Sequence, residues 1–215
     1  MFYLNPDEIS FPDPAFVDSD SGLLAVGGDL SPERLLFAYQ TGLFPWFNEG
    51  EEILWWCPDP RFVLFPSEVK VSKSMRKILN SGKFVFTQNQ CFEEVMRQCK
   101  NVYRKDQDGT WISDELIESF SILNKFGYAK SFEIWQDENL VGGFYGIQIG
   151  RVFCGESMFS KVSNASKAGF LNFVLNEPGI ELIDCQIHSN HLQSLGANMI
   201  SKHEYLKILK QNNES

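Results

Sequence analysis

The sequence predicts an α+β fold, and three observations lead to this prediction. Residues 1–66 are rich in proline, glycine and aromatic residues and leave room for one clear helix. Helical patterns begin near residue 67, and strand patterns then lie on both sides of a further helix. Strands that bracket a helix favour a sheet domain over a helical bundle. We therefore divide the 215 residues into a small loop-rich domain at 1–66 and a larger domain at 67–215.

The helix of the first domain is predicted from Pro32 to about Thr41. Ser31 suits its N-cap, Pro32 its first turn and Gly42 its C′ position. The many prolines around it favour turns and loops over further regular elements.

The second domain contains a longer series of elements. Gly82 ends its first helix, Ser113 caps a later one and Gly127 ends that helix. Asp137-Glu138-Asn139 forms a natural turn between two strands. In chain order we predict helices near 72–80, 90–101 and 113–125, strands at 130–136, 140–149 and 151–158, a helix at 164–175, a strand at 180–187, and short helices near 190–196 and 201–210.

The charge of the chain is unevenly distributed. Its formal net charge of −9 by itself argues against a nucleic-acid partner. Residues 69–105, however, hold nine basic and two acidic side chains, whereas the segments on either side are acidic. This basic block is either a solvated helical face or a surface that binds a polyanion. Its basic members are Lys70, Lys73, Arg76, Lys77, Lys83, Arg97, Lys100, Arg104 and Lys105.

Composition limits the class of protein and its compartment. Hydrophobic residues make up 43% and charged residues 22%, which excludes a disordered or collagen-like chain. The N-terminus lacks the features of a signal peptide, and no apolar stretch approaches the roughly 18 residues that a membrane span needs. Five cysteines without a Cys-x-x-Cys pair fit neither a disulfide framework nor a zinc ribbon. We expect a cytoplasmic protein with reduced thiols and no membrane partner.

Two short segments hold the densest group of polar residues, Gly155-Glu156-Ser157 and Asp184-Cys185-Gln186. Because side chains alternate along a strand, Asp184 and Gln186 project to one face and Cys185 to the other. A carboxylate and a carboxamide in an apolar strand are costly to bury unless they are paired. They are either an internal hydrogen-bonded pair or an acid–base and orienting pair in a cleft.

Other catalytic patterns fit the sequence poorly. Ser157 lacks the second glycine of a Gly-x-Ser-x-Gly turn. A hydrolase that pairs Cys185 with His188 or His191 is disfavoured, because such a thiol in a strand is more often part of a core. His188 and His191 with Asp184 match no standard zinc signature, so no metal site is expected.

Two of the five tryptophans differ from the rest in their surroundings. Trp135, Trp55 and Trp56 are most simply explained by packing. Trp46 lies in a loop bounded by proline, and Trp111 follows the turn residues Asp108-Gly109-Thr110. Loop tryptophans near a basic block can stack on nucleobases, although packing is the more common role of a tryptophan.

An ordered set of strings between about residues 10 and 205 resembles one family. No single string is decisive, but the set as a whole is specific. It resembles the bacterial leucyl/phenylalanyl-tRNA–protein transferases. The strings are Gly22-Leu-Leu-Ala-Val-Gly-Gly-Asp-Leu-Ser31, Gly42-Leu-Phe-Pro-Trp-Phe47, Trp55-Trp-Cys-Pro-Asp-Pro-Arg61, Gly109-Thr-Trp-Ile112, Phe153-Cys-Gly-Glu-Ser-Met-Phe-Ser160, Asn164-Ala-Ser-Lys167, Leu182-Ile-Asp-Cys-Gln186 and Ser194-Leu-Gly-Ala197.

The resemblance implies a reaction and its partners. Such enzymes move Leu, Phe or sometimes Met from aminoacyl-tRNA onto the N-terminal Arg or Lys of a protein, which marks that protein for degradation by the N-degron route. It also implies that the C-terminal domain resembles the GCN5-related N-acetyltransferase fold. An aminoacyl ester is already activated, so the expected enzyme needs no cofactor. The chain has no coiled-coil pattern, and we expect a monomer.

The resemblance also implies roles for individual residues. Asp184 and Gln186 form the catalytic pair, and Asp184 polarises or deprotonates the attacking amine directly or through Gln186. Glu156 receives the cationic acceptor residue or the α-ammonium group of the donor. Trp46 and Trp111 hold the 3′-terminal adenosine of the tRNA.

Two further sets of residues follow from the same resemblance. An apolar pocket must accept Leu, Phe and Met, which share only size and hydrophobicity, and part of the basic block binds tRNA phosphates without reading sequence. The pocket candidates are Phe144, Phe153, Met158, Phe173 and Ile183, and the phosphate-binding candidates are Lys70, Lys73, Arg76, Lys77 and Lys83.

Two alternatives stay open at the level of sequence. An acyl-CoA-dependent N-acyltransferase could use the same fold, since a fold does not determine function. Its usual pyrophosphate-binding loop is matched poorly by the string from Gln193 to Asn198. A non-catalytic RNA-binding module would explain the basic block and the tryptophans, but it would leave Glu156, Asp184 and Gln186 without a role.

Overall fold

The computed structural model describes residues 1–16, 21–102 and 110–213. In these ranges the helices are α1 Pro32–Gln40, α2 Lys73–Leu79, α3 Phe92–Lys100, α4 Asp114–Lys125, α5 Ala165–Asn176, α6 Asn190–Ser194 and α7 Lys202–Asn213. The strands are β1 Phe2–Leu4, β2 Leu23–Gly27, β3 Phe44–Pro45, β4 Leu54–Trp56, β5 Arg61–Leu64, β6 Val85–Gln88, β7 Ala129–Gln136, β8 Asn139–Ile149, β9 Val152–Ser160, β10 Leu182–Gln186 and β11 Asn198–Ile200. The α+β class predicted from the sequence is confirmed.

The N-terminal segment forms a small sheet in the strand order β1-β2-β4-β3. Strands β1 and β2 run parallel, and the other neighbours run antiparallel. The sequence predicted only helix α1 in this segment. The strands escaped prediction because each has only two to five residues, too few for an alternating pattern to be recognised.

The C-terminal segment is built on a larger sheet in the order β11-β5-β10-β9-β8-β7-β6. Strands β9 and β10 run parallel, whereas the other neighbours run antiparallel. The parallel pair begins at Val152 and Leu182, and its last paired residues are Cys154 and Asp184. The two strands separate beyond this point.

Strand β5 connects the two segments. It lies within residues 1–66, yet it pairs with both β10 and β11 of the larger sheet. The pairing places β5 in the sheet of the C-terminal segment, and the division after residue 66 stays a prediction.

Helices cover both faces of the larger sheet. One core contains Tyr39 of α1, Phe120 of α4 and Tyr205 of α7, and the other contains Met75 of α2 and Phe170 of α5. Neighbouring side chains of strand β10 point to opposite faces of the sheet. Ile183 belongs to the second core, whereas Asp184 is hydrogen-bonded to Tyr205, which belongs to the first.

The capping residues predicted from sequence act as expected. The Ser31 hydroxyl accepts a hydrogen bond from the Arg34 amide at 3.3 Å, and the Ser113 hydroxyl accepts one from the Leu116 amide at 3.1 Å. Gly42 follows α1 with a φ of +87°, a conformation that glycine adopts without strain.

Candidate active site

A cavity of about 400 Å³ opens where β9 and β10 separate. Its wall includes Glu156, Asp184 and Gln186, which the sequence placed in the catalytic group. Trp46 and Trp111 also line it, as do most of the residues predicted for the donor pocket. Elements far apart in the sequence therefore bring the predicted residues to one place.

Irregularities in two strands present the polar side chains of this cavity. Tyr145 pairs with Ser157 and Gly146 with Gly155, so Glu156 is an extra residue in β9. A bulge of this kind bends the strand and redirects the side chain of the added residue. A second register shift lies between Asp184 and Gln186 in the pairing of β10 with β5.

Gln186 adopts a left-handed backbone conformation with a φ of +63°. Residues other than glycine rarely adopt this region, because the β-carbon comes close to the following carbonyl oxygen. The Gln186 amide N–H donates a hydrogen bond to Asp184 Oδ1 at 2.9 Å. Asp184 thus holds the backbone of Gln186 at the point where β10 leaves the sheet.

The Asp184 carboxylate is fully buried and paired with Arg61 of β5. Arg61 Nε donates to Oδ1 at 2.8 Å and Arg61 Nη2 donates to Oδ2 at 2.6 Å, which is a bidentate pair. The Tyr205 hydroxyl of α7 also donates to Oδ2, at 2.9 Å. The carboxylate therefore receives four hydrogen bonds in total, including that from Gln186.

Gln186 and Glu156 meet across the gap between the strands. Gln186 Nε2 donates to Glu156 Oε1 at 2.6 Å. Burial raises the pKa of Glu156 to about 8, and the nearby hydroxyl of Tyr39 and amide of Gln186 partly oppose this rise. A carboxyl group whose pKa is shifted in this way inside a cavity is typical of a functional site.

The apolar end of the cavity is built mainly from aromatic rings. Phe144, Phe153, Met158 and Ile183 line it as the sequence predicted. Phe170 also lines it and was not predicted, because its place in α5 gave no sign that it faces the cavity. Larger and smaller apolar side chains can enter such a pocket, since it offers few polar groups to satisfy.

Phe173 lies behind this wall instead of on it. Its ring centroid is 4.8 Å from that of Phe153 and 4.5 Å from that of Phe132. It is buried in the core that supports the wall, so its influence on a ligand is exerted through its neighbours.

The two loop tryptophans differ in exposure. Trp46 is 40% exposed at the rim of the cavity, and its carbonyl accepts a hydrogen bond from Trp56 Nε1 at 2.7 Å. Trp111 is only 8% exposed, and residues 103–109 immediately before it lie outside the described part of the chain. Both tryptophans nevertheless line the cavity.

Models of two family domains match the chain in sequence order. The model of the leucyl/phenylalanyl-tRNA protein transferase N-terminal domain matches residues 28–59, and the model of the leucyl/phenylalanyl-tRNA protein transferase matches residues 63–210. The chain belongs to the leucyl/phenylalanyl-tRNA–protein transferase family. Members of this family are aminoacyltransferases.

Curated members of the family resemble the chain over almost its full length. The leucyl/phenylalanyl-tRNA–protein transferase of Flavobacterium johnsoniae is 56% identical over 98% of this chain and 99% of its own. That of Christiangramia forsetii is 55% identical over 97% of this chain and 100% of its own. That of Cellvibrio japonicus is 52% identical over 96% of this chain and 89% of its own.

Solved structures resemble this transferase more distantly. A GCN5-related N-acetyltransferase from Kribbella flavida aligns with 76% of this chain and 58% of its own, at 9% identity and a TM-score of 0.36. L-PGS from Bacillus licheniformis aligns with 80% of this chain and 55% of its own, at 12% identity and a TM-score of 0.41.

The basic block of this transferase divides into paired and unpaired cations. Arg97 pairs with Glu93 and Asp114, and Lys100 also pairs with Asp114. The five phosphate-binding candidates are exposed, and none makes an ion pair within residues 1–16, 21–102 and 110–213. Arg104 and Lys105 lie outside the described residues.

Sequence reasoning missed two members of the polar network, Arg61 and Tyr205. Arg61 begins the otherwise apolar strand Arg-Phe-Val-Leu, and a lone cation there needs a buried partner. That signal, set beside the lone carboxylate of Asp184, could have predicted the pair. Tyr205 gave no such signal, because a tyrosine on an amphipathic helix is usually explained by packing.

The described residues show no other obvious centre for chemistry. All five cysteines are free thiols, and burial raises the pKa of Cys154 and Cys185. In the part of the chain that the structure covers, no group of three or more His, Cys, Asp or Glu residues could hold a metal ion. Over the same ranges, no helix has both the length and the apolar character needed to cross a membrane.

Proposed function

We propose that this protein transfers Leu, Phe or Met from aminoacyl-tRNA to the N-terminal Arg or Lys of an acceptor protein. The observation that carries the proposal is the polar pair of Gln186 and Glu156 at the base of an apolar, tryptophan-rimmed cavity. Membership of the transferase family supports the same reaction. The product carries a new hydrophobic N-terminal residue, which marks it for degradation by the N-degron route.

The donor substrate fits the cavity in three parts. Its side chain enters the apolar end beside Phe153, Met158 and Ile183, where hydrophobic contact accepts Leu, Phe or Met. The terminal adenosine lies against Trp46 and Trp111, since aromatic rings stack on bases. Phosphates of the acceptor stem contact the exposed cations of α2 and its flanks, which position the tRNA without reading its sequence.

The chemical step needs the two substrates to be oriented more than it needs the ester to be activated. The α-nitrogen of the acceptor attacks the ester carbonyl carbon, a C–N bond forms and the C–O bond to the tRNA ribose breaks. The amine loses one proton and the released ribose hydroxyl gains one. Holding the two substrates together supplies much of the rate enhancement.

Gln186 is the residue that contacts the attacking amine in this proposal. Its Nε2 is engaged by Glu156, and among the described residues its Oε1 has no hydrogen-bond donor. That oxygen accepts a hydrogen bond from an N–H of the amine. The hydrogen bond orients the lone pair of the amine nitrogen towards the ester carbonyl carbon. Asp184 acts through Gln186, because hydrogen bonds already occupy its own carboxylate.

Glu156 supplies the negative charge that an N-terminal Arg or Lys requires. When Glu156 is ionised, it attracts the cationic side chain of the acceptor residue and holds it close to Gln186. We propose that the protein acts as a monomer, because its sequence has no coiled-coil pattern.

The proposal is tested by incubating the protein with labelled Phe-tRNA and two peptides that differ only at their N-terminal residue, Arg or Ala. We expect label on the Arg peptide alone. Gln186→Ala should abolish transfer, whereas Gln98→Ala, a replacement on the exposed side of α3, should not. Transfer that requires acyl-CoA, or tRNA binding without transfer, would contradict the proposal.

A further inference from the structure

The Asp184 carboxylate has no free position at which to accept a further hydrogen bond. Each carboxylate oxygen offers two lone pairs. Arg61 Nε and the Gln186 amide occupy those of Oδ1, and Arg61 Nη2 and the Tyr205 hydroxyl occupy those of Oδ2. All four donors lie between 2.6 and 2.9 Å from their acceptors. The carboxylate is therefore the centre of a fixed network.

Arg61 is itself held firmly by its surroundings. It is 1% exposed, and its guanidinium carbon lies 4.7 Å from the centre of the Phe44 ring and 4.5 Å from that of Tyr205. Aromatic faces attract a cation, and this attraction is stronger where water is excluded. Tyr205 thus makes two contacts with the network, through its hydroxyl to Asp184 and through its ring to Arg61.

The network ends on Gln186, which has an unfavourable backbone conformation. Gln186 has a positive φ next to the register shift of β10 against β5, and its amide donates a hydrogen bond to Asp184. Such a conformation persists only where the surrounding contacts enforce it. The position of the Gln186 side chain against Glu156 therefore depends on where Asp184 is held.

We propose that Arg61 and Tyr205 are positioning residues that set the geometry of Gln186 through the Asp184 carboxylate. Strand β5 and helix α7 thereby contribute to the reaction without touching either substrate. This inference rests on the proposed function for its kinetic consequence, but its structural consequence, a displaced Gln186, can be observed without any substrate.

The test replaces Tyr205 by Phe, which removes one donor to Asp184 and keeps the ring beside Arg61. We expect kcat to fall by about tenfold or more, because small displacements of an orienting group are costly. The KM values for Phe-tRNA and for the Arg peptide should stay close to those of the wild type, since Tyr205 contacts neither. A Tyr205→Phe enzyme with the wild-type kcat would overturn the inference.

A control on the same helix separates positioning from packing. Leu209 is buried on α7 and does not belong to the network. Leu209→Ala should lower the unfolding midpoint more than Tyr205→Phe does, because it removes buried methyl groups. Its kcat should nevertheless match that of the wild type at temperatures where it is folded. If both variants lose kcat in proportion to stability, α7 has only a packing role.

A spectroscopic measurement keeps the inference falsifiable without catalysis. The backbone amide of Gln186 in a ¹⁵N-labelled protein should shift its resonance in Tyr205→Phe and remain in place in Leu209→Ala. If the wild-type protein has no transferase activity, the proposed function is wrong. The resonance of the Gln186 amide still tests whether Tyr205 positions Gln186. Unchanged resonances in both variants would overturn the inference. Arg61→Lys, which keeps the charge but loses the bidentate geometry, should displace the resonance further.

Discussion

At the scale of single residues, the Arg61–Asp184 pair joins stability to activity. Breaking a buried ion pair by removing one partner leaves an uncompensated charge, whereas replacing both partners by apolar residues is often tolerated. Asp184→Ala should therefore destabilise the protein by about 3–5 kcal/mol as well as abolish transfer. Denaturant unfolding measures the first effect and the labelled-peptide assay the second.

The double variant Arg61→Met, Asp184→Leu provides the matching control. It should regain most of the lost stability and remain inactive, because the pair is then replaced by side chains that need no partner. If Asp184→Ala unfolds at the same denaturant concentration as the wild type, the pair has no structural role. If the double variant transfers at the normal rate, Asp184 has no role in the reaction.

Under the proposed function, Glu156 should make acceptor binding depend on pH. Its pKa of about 8 means that the carboxyl group is neutral below this pH and charged above it. The affinity for N-acetyl-argininamide, whose side chain stays cationic throughout, should therefore rise as pH increases from 7 to 9. Calorimetric titration in the absence of tRNA measures this affinity without interference from a titrating amine.

Glu156→Gln should remove this pH dependence, because the amide does not ionise. At pH 9 the Glu156→Gln variant should bind N-acetyl-argininamide more weakly than the wild type does. A wild-type affinity that does not change with pH would show that Glu156 does not receive the acceptor side chain.

At the scale of elements, the bulge in β9 depends on a glycine in the neighbouring strand. A β-carbon on Gly146 would collide with the carbonyl oxygen of Cys154 and would lie 2.6 Å from the ring of Phe153. Gly146→Ala should therefore destabilise the protein by about 1–3 kcal/mol, as overpacking does, and displace Glu156. Thermal unfolding and acceptor binding measure the two effects.

Gly155, which pairs with Gly146, offers a close control. A β-carbon on Gly155 would approach the Asp184 carbonyl oxygen no closer than 3.7 Å, which is ordinary contact. Gly155→Ala should thus lower the unfolding midpoint less than Gly146→Ala. Equal losses in the two variants would show that the bulge does not depend on close approach of the strands.

The elements that the sequence predicts well are those with their own local signals. Helix α4 begins after Ser113 as its cap indicates, and strands β7 to β9 follow from long strand-like runs, the first two of which are separated by the turn Asp137-Glu138-Asn139. Strands β6 and β11 were missed, because three or four residues between helices carry too little pattern. The bulges at Glu156 and Gln186 could not be predicted either, since they arise from register with neighbouring strands.

At the scale of the whole molecule, charge is sorted by region. The net charge of −9 conceals an exposed, unpaired group of cations around α2, while Arg97 in the same block is neutralised by Glu93 and Asp114. Acidic surfaces elsewhere should disfavour indiscriminate RNA binding. The sequence located the basic block, but only the structure separated its paired members from the others.

This separation predicts different effects for two arginines of the block. Arg76→Gln should weaken tRNA binding and lower the slope of log K against log salt by about 0.7–0.9, the value for one phosphate contact. Arg97→Gln should leave that slope nearly unchanged, since its charge is already paired. Binding of labelled tRNA at several salt concentrations measures both. Identical slopes for Arg76→Gln and the wild type would mean that this part of the block is only solvated.

The placement of β5 in the larger sheet has a consequence for biosynthesis. A ribosome delivers Arg61 well before its counterion, because 123 positions separate it from Asp184, and Tyr205 emerges later still. The cation must stay solvated until the distant half of the chain arrives, so the site cannot form before Tyr205 has been synthesised. Under the proposed function, a nascent chain that still lacks Asp184 and Tyr205 thus has no assembled site.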